Sequence, residues 1–154
     1  MRQFKFIFLL LVGLCLCATG FAGSVAPAAP DDHYAIAGIK NAAEFEAAFN
    51  LLRIAVATND RQKVADSILY PLRVNGWVND ASDNSTVQFA SRQEMLDNYD
   101  KIFTMRVRDA FARQKIADLF VNWQGVMVGR GEAWLSISRN TPVRYGIIAI
   151  NLGT

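Results

Sequence analysis

Three residues at alternate positions, Arg73, Asn75 and Trp77, are the best candidates for chemistry in this chain. On a strand, side chains two apart share a face. A guanidinium, an amide and an indole side by side would make a pocket wall that grips a carboxylate or an amide. Tyr70, just upstream, either offers a hydroxyl at the rim or buries its ring with the hydroxyl satisfied. The same alternation also fits an outward-facing Arg73 with Trp77 half-buried. A second set comprises Asn122, Gln124 and Trp134. Amides inside an apolar run are costly to bury without partners, so their face is either solvent or a polar pocket.

Proton-transfer chemistry has fewer candidates. His33 is the sole histidine and precedes the first expected helix, which excludes a His–Asp dyad or a Ser–His–Asp triad within the domain. An Asp–Tyr arrangement survives, with Asp100 beside Tyr99 or Asp118 at the approach to a strand. The competing reading makes Asp97, Asp100 and Asp118 solvated or capping residues. No His/Asp/Glu cluster has the spacing of metal ligands, and Gly129-Arg130-Gly131 is too short for a phosphate loop and reads as a turn. No catalytic residue, metal or cofactor is assigned.

The start of the chain speaks to compartment. Arg2 and Lys5 form a basic n-region, Phe6 to Cys17 an apolar h-region, and Gly20-Phe21-Ala22 supplies small residues before a cut. Residues 1–22 therefore read as a secretory signal cleaved after Ala22, implying a periplasmic or secreted protein with no stable membrane insertion afterwards. Bulky Leu14 and Leu16 precede Cys15 and Cys17, which does not fit lipidation, and the h-region is short for an uncleaved anchor. Cleavage removes both cysteines, and with them disulfides and thiolate chemistry. It also removes Arg2 and Lys5, leaving 14 basic residues against 14 acidic ones. A neutral mature chain without a basic run argues against nucleic acid or an anionic membrane surface as partner.

Residues 23–40 read as an Ala/Pro/Ser tether and an N-terminal arm with Tyr34, Ile36 and Ile39. Asn41 and Glu44 have capping-box spacing ahead of the stripe Phe45, Ala48, Phe49, Leu52 and Val56, which predicts a helix. Asp60 caps a short second helix carrying Val64, Ala65, Ile68 and Leu69 inward until Pro71 stops it. Leu72, Val74 and Trp77 begin a strand. A polar turn run over 79–85 follows, and Val87-Gln88-Phe89 returns from it. Ser91 and Glu94 form a second capping box for a helix with Met95, Leu96, Tyr99, Ile102 and Phe103 inward, and Thr104 caps a further one. The remainder predicts a meander: a long strand from Leu119 to Val128, a turn at Gly129-Arg130-Gly131, a return from Glu132 to Ser138, and a last strand from Val143 to Leu152. Gly125, inside the first of these, marks a bulge or bend.

Two helices, a strand pair, a helix and a meander give an α+β order. Three segments carry a family resemblance: Tyr-Pro-Leu-Arg-Val-Asn at 70–75, Tyr-Asp-Lys-Ile-Phe-Thr at 99–104 and Asn-Trp-Gln-Gly-Val-Met-Val-Gly at 122–129. With the opening helix pair, they make the chain over 41–154 resemble small secreted bacterial members of the nuclear-transport-factor-2-like (cystatin-like) superfamily. That resemblance implies a single domain in which a curved antiparallel sheet wraps around the N-terminal helices as a cone, with a homodimer through the sheet. Such folds host isomerases, dehydratases and plain adaptors alike. The expected function is non-catalytic binding of a small molecule or an envelope protein in a cone-shaped pocket, walled by Tyr70, Arg73, Asn75, Trp77, Asn122, Gln124 and Trp134. The alternatives are a cofactor-free isomerase or lyase using a buried Asp, and an inhibitor or immunity-type protein acting on an envelope enzyme.

Overall fold

Both expected N-caps form, although neither Glu44 nor Glu94 returns a bond to the cap residue's own N–H. The Glu44 N–H donates to Asn41 Oδ1 at 3.2 Å and starts α1 (Ala42–Ala57). The Glu94 N–H donates to Ser91 Oγ at 3.3 Å, Glu94 Oε2 accepts from the Ala90 N–H at 2.8 Å, and α3 (Arg92–Asp97) follows. Asp60 likewise accepts from the Lys63 N–H at the head of α2 (Arg61–Asp66). The computed structural model describes residues 32–78 and 85–153. The leader, most of the tether and the 79–84 part of the turn run lie outside the described residues.

The fold is α+β. Helices α1 and α2 lead into β1 (Ile68–Trp77) and β2 (Ser85–Phe89); α3, α4 (Tyr99–Ile102) and α5 (Met105–Arg113) come next. The chain ends in β3 (Phe120–Asn122), β4 (Gly125–Val128), β5 (Ala133–Ile137) and β6 (Tyr145–Asn151). The strands form one six-stranded sheet of order β2-β1-β6-β5-β4-β3. The sheet is mixed, correcting the all-antiparallel expectation: β1 and β6 run parallel, with Val74 opposite Ile150, while every other pair is antiparallel. Phe45, Phe49 and Leu52 of α1 and Phe111 of α5 join Leu72, Val74, Val126, Leu135 and Ile147 in one buried cluster between the helices and a single face of the sheet.

Three local expectations shift. First, α2 ends at Asp66 and β1 already begins at Ile68, so Pro71 lies inside a strand instead of ending a helix. Parallel pairing draws this segment into the sheet, as the Ile147 N–H donates to Ser67 O at 2.9 Å. Proline is tolerated because the registers with β2 and β6 leave Leu69 to Pro71 unpaired. Second, the long strand expected over Leu119–Val128 is a tight hairpin, β3 and β4, folded about Trp123 and Gln124. Asn122 Oδ1 accepts from the Gln124 N–H at 2.8 Å, an Asx turn that outcompetes continuation of the strand. Gly125 follows with φ of 138°, and a Cβ there would lie 2.2 Å from the Leu135 carbonyl oxygen. Third, the helix expected over residues 92–103 breaks at Asn98 into α3 and α4.

Leu72 is fully buried at the junction of the sheet and the helices. Leu72→Ala is expected to lower unfolding free energy by about 2–5 kcal/mol through transfer and cavity terms, read from urea denaturation at unchanged m-value.

Candidate functional site

Register across the sheet assembles a face that alternation along single strands only suggests. Directly paired residues share a face, and one row runs through every strand: Gln88, Arg73, Ala149, Trp134, Met127 and Phe120. Because Leu72 and Val74 point into the core, this row lies on the sheet face turned away from the helices. Ala149 is fully buried yet stands outside the core cluster, in line between Arg73 and Trp134.

Beside the row runs a chain of amides. Thr86 Oγ1 donates to Asn75 Oδ1 at 3.0 Å, Asn75 Nδ2 donates to Asn151 Oδ1 at 2.6 Å, and Asn151 Nδ2 donates to the Gly131 carbonyl. This fixes both amides in orientation and answers the cost of placing them mid-sheet. Row and chain together border a cleft of about 140 Å³ lined by Arg73, Asn75, Gln124, Trp134, Ile148 and Asn151. Arg73 is exposed and makes no hydrogen bond or ion pair among the described residues.

Of the residues expected to wall a pocket, Arg73, Asn75, Gln124 and Trp134 thus line one cleft, joined by Ile148 and Asn151. Ile148 is the extra residue of a β6 bulge, since Trp134 pairs with Ala149 and Leu135 with Ile147. Asn151 enters through its parallel pairing with Asn75, which no local pattern signals. Trp77 is placed elsewhere. Register slips between Asn75 and Trp77, Gly76 takes φ of 77°, and the bulge turns the indole onto the core face, edge-on to Phe89 at 5.2 Å between centroids. Asn122 is spent on its turn. Tyr70 lies on a separate groove of about 680 Å³ between the start of β1 and the β5–β6 connection, and its hydroxyl donates to Ala65 O at 3.1 Å.

The Asp–Tyr arrangement separates. The Tyr99 ring is buried, stacked at 4.9 Å on Phe103, and its hydroxyl has no hydrogen-bond partner among the described residues. Asp100 points the other way into solvent, where it pairs with Arg61 at 2.9 Å and Arg108 at 3.3 Å. Asp60, Asp66, Asp97, Asp109 and Asp118 are also exposed or only half-buried. Among the described residues no group of three or more His, Cys, Asp or Glu side chains is placed to hold a metal ion.

One further concavity escapes sequence reasoning. A groove of about 830 Å³ runs between α5 and the β4–β5 turn, bordered by Arg106, Arg113, Lys115, Asp118, Arg130 and Glu132. Its anchor is Glu132, which is buried, accepts from the Arg130 N–H at 2.6 Å and pairs with Arg106 at 3.1 Å. Burial opposes its ionisation, but the Arg130 and Glu132 N–H groups and the Arg106 guanidinium outweigh it and hold the carboxyl below its usual range. Only the acid directly after a Gly-X-Gly turn hints at this cap. Among known proteins, no family model, no curated sequence and no solved structure matches the chain.

Glu132→Ala should destabilise by more than about 1 kcal/mol, since it leaves the Arg130 N–H unanswered. The charge contributes above the unfolded carboxyl pKa and is lost as pH falls through the lowered folded value. Acid-limb thermal melts should therefore flatten in the variant. Tyr70 titrates oppositely: burial pushes its hydroxyl up to about 12, and the phenolate could not donate to Ala65 O. The unfolded chain releases that proton near pH 10, so stability should fall from about pH 10 to 12, and Tyr70→Phe should reduce the slope in alkaline thermal melts.

Proposed function

We propose that this chain is an exported, non-catalytic binding protein that holds a small molecule or a protein partner on the helix-free face of its sheet. The observation carrying this reading is the cleft at Arg73, Asn75, Gln124 and Trp134, where a cation without a partner among the described residues stands beside an aromatic ring and fixed amides. Export rests on the pattern of residues 1–22. The nuclear-transport-factor-2-like cone is retained as the finer architecture. Its support is the order of elements, two helices, a strand pair, helices and then the remaining strands. The isomerase alternative draws little support, because a general base of that kind works in a dry pocket and Asp100 is an exposed partner of two arginines.

A screen of chemically diverse fragments against the ¹⁵N-labelled domain tests the reading. Perturbed amide and side-chain resonances should cluster at Arg73, Asn75, Trp134 and Asn151, and Arg73→Ala should weaken these responses without shifting Tm by more than about 1 °C, as befits an exposed residue. Responses confined to the groove at Glu132, or absent from the sheet face, would sink it.

A further inference from the structure

The cleft is unbalanced in its hydrogen-bonding groups. Each of its three amide oxygens already accepts one hydrogen bond within the protein: Asn75 Oδ1 from Thr86, Asn151 Oδ1 from Asn75 and, at a longer 3.4 Å, Gln124 Oε1 from Asn122. Its donors are in surplus. The Arg73 guanidinium, the Trp134 indole N–H and the Gln124 amide nitrogen donate to nothing among the described residues, and Asn75 and Asn151 each commit one amide hydrogen and keep a second. No acid lines the cleft. Such a site favours a group that only accepts and carries negative charge, and disfavours an amine.

Size narrows the ligand further. A volume of about 140 Å³ equals the liquid share of roughly five waters. It admits a head group, well below the 300 Å³ or more that encloses a whole small-molecule ligand. The rest of the ligand must lie outside, and the row supplies a track for it. Past Trp134 come Met127, half-buried, and Phe120, 52% exposed. These two further strand spacings extend the apolar path by about 9.5 Å. Along one row the chemistry thus runs from cation, over the small Ala149, to indole, thioether and phenyl.

We propose that the sheet face binds a small amphipathic carboxylate, with its head group between Arg73 and the Asn75–Asn151 amides and its apolar body along Trp134, Met127 and Phe120. This rests on the binding reading above and names its ligand class. The charge sets the head, and the length of the apolar run sets the body. A bare inorganic anion would leave the track unused, and an alkylammonium would stand beside the Arg73 guanidinium with no acid in the cleft to pair with.

Titration of the ¹⁵N-labelled domain with octanoate below its micellar range, acetate and octylammonium tests this, with the Trp134 indole resonance assigned by Trp134→Phe. Octanoate should shift the Trp134, Asn75 and Asn151 resonances saturably. Acetate should act on the same groups at least tenfold more weakly, and octylammonium should not displace octanoate. Arg73→Gln should weaken octanoate about tenfold through loss of one charge-assisted contact, and Phe120→Ala by several-fold, both with native spectra elsewhere. Equal binding of octylammonium, or indifference to Arg73→Gln, would overturn the carboxylate assignment. If octanoate fails while uncharged fragments still perturb the cleft, the ligand class falls and the binding reading stands. If nothing perturbs the cleft, both fall. A dimer that Phe120→Ala dissociates, unresponsive to octanoate, would give the face to a second copy of the chain and equally overturn the proposal.

Discussion

The parallel pairing of β1 with β6 is the contact on which everything else depends. The other strand pairs join neighbours in sequence, whereas this one joins Ile68–Trp77 to Tyr145–Asn151 across most of the described chain. It is held at one end by the Ile147 N–H donating to Ser67 O and at the other by the Leu152 N–H donating to Asn75 O, each at 2.9 Å. The core uses it through Val74 and Ile150, and the outer face through Arg73 and Ala149. Without it the cleft would divide, Arg73 and Asn75 staying with one hairpin and Trp134 and Asn151 with the other. Closing so long a loop costs entropy that grows only logarithmically with length, but such non-local contacts slow folding.

How far the sequence was legible follows from this geometry. Helix starts at Asn41, Asp60, Ser91 and Thr104 were readable because a cap acts over three residues, and all four side chains accept the expected N–H. The alternation that put Arg73 and Asn75 on one face was readable too. Trp77 was misplaced because one bulge residue, Gly76, reverses parity, and a glycine in a strand does not announce whether it will bulge. The Asn122–Gly125 turn did leave a trace: asparagine at the first position and glycine at the fourth are β-turn preferences, here hidden in an apolar run that looked like continuous strand. Asn151 and Ala149 could not be found locally, since their roles come from strands more than seventy residues away in sequence.

The two concavities differ in how much of their polarity is already committed. In the groove beside α5, Arg106 is answered by Glu132, Arg113 by Asp109 at 3.0 Å, and Gln114 by the Gly129 N–H at 2.7 Å. The first and last of these tie α5 to the β4–β5 turn, whereas Arg113–Asp109 is an i,i+4 pair within α5. On the sheet face the amides also satisfy one another, and beside them the Arg73 guanidinium and the Trp134 indole N–H donate to nothing among the described residues. The smaller concavity thus sets a cation unpaired among the described residues beside an aromatic ring and amides of fixed orientation, and such arrangement decides recognition more than volume does.

The N-terminal arm has a consequence for solubility. Its short 3₁₀ turn, Asp32–Ala37, packs on β3 and β4; His33 Nε2 donates to the Leu119 carbonyl at 3.2 Å, and Tyr34 is buried against Phe45. An edge strand is a template for another chain's backbone, and β3 is the edge of this sheet on that side. Three residues of strand beneath a strap of the protein's own chain offer little length to copy. Proteolytic trimming past Ala37 would remove His33 and Tyr34 and leave the Leu119 carbonyl at the start of that edge open to another chain's backbone.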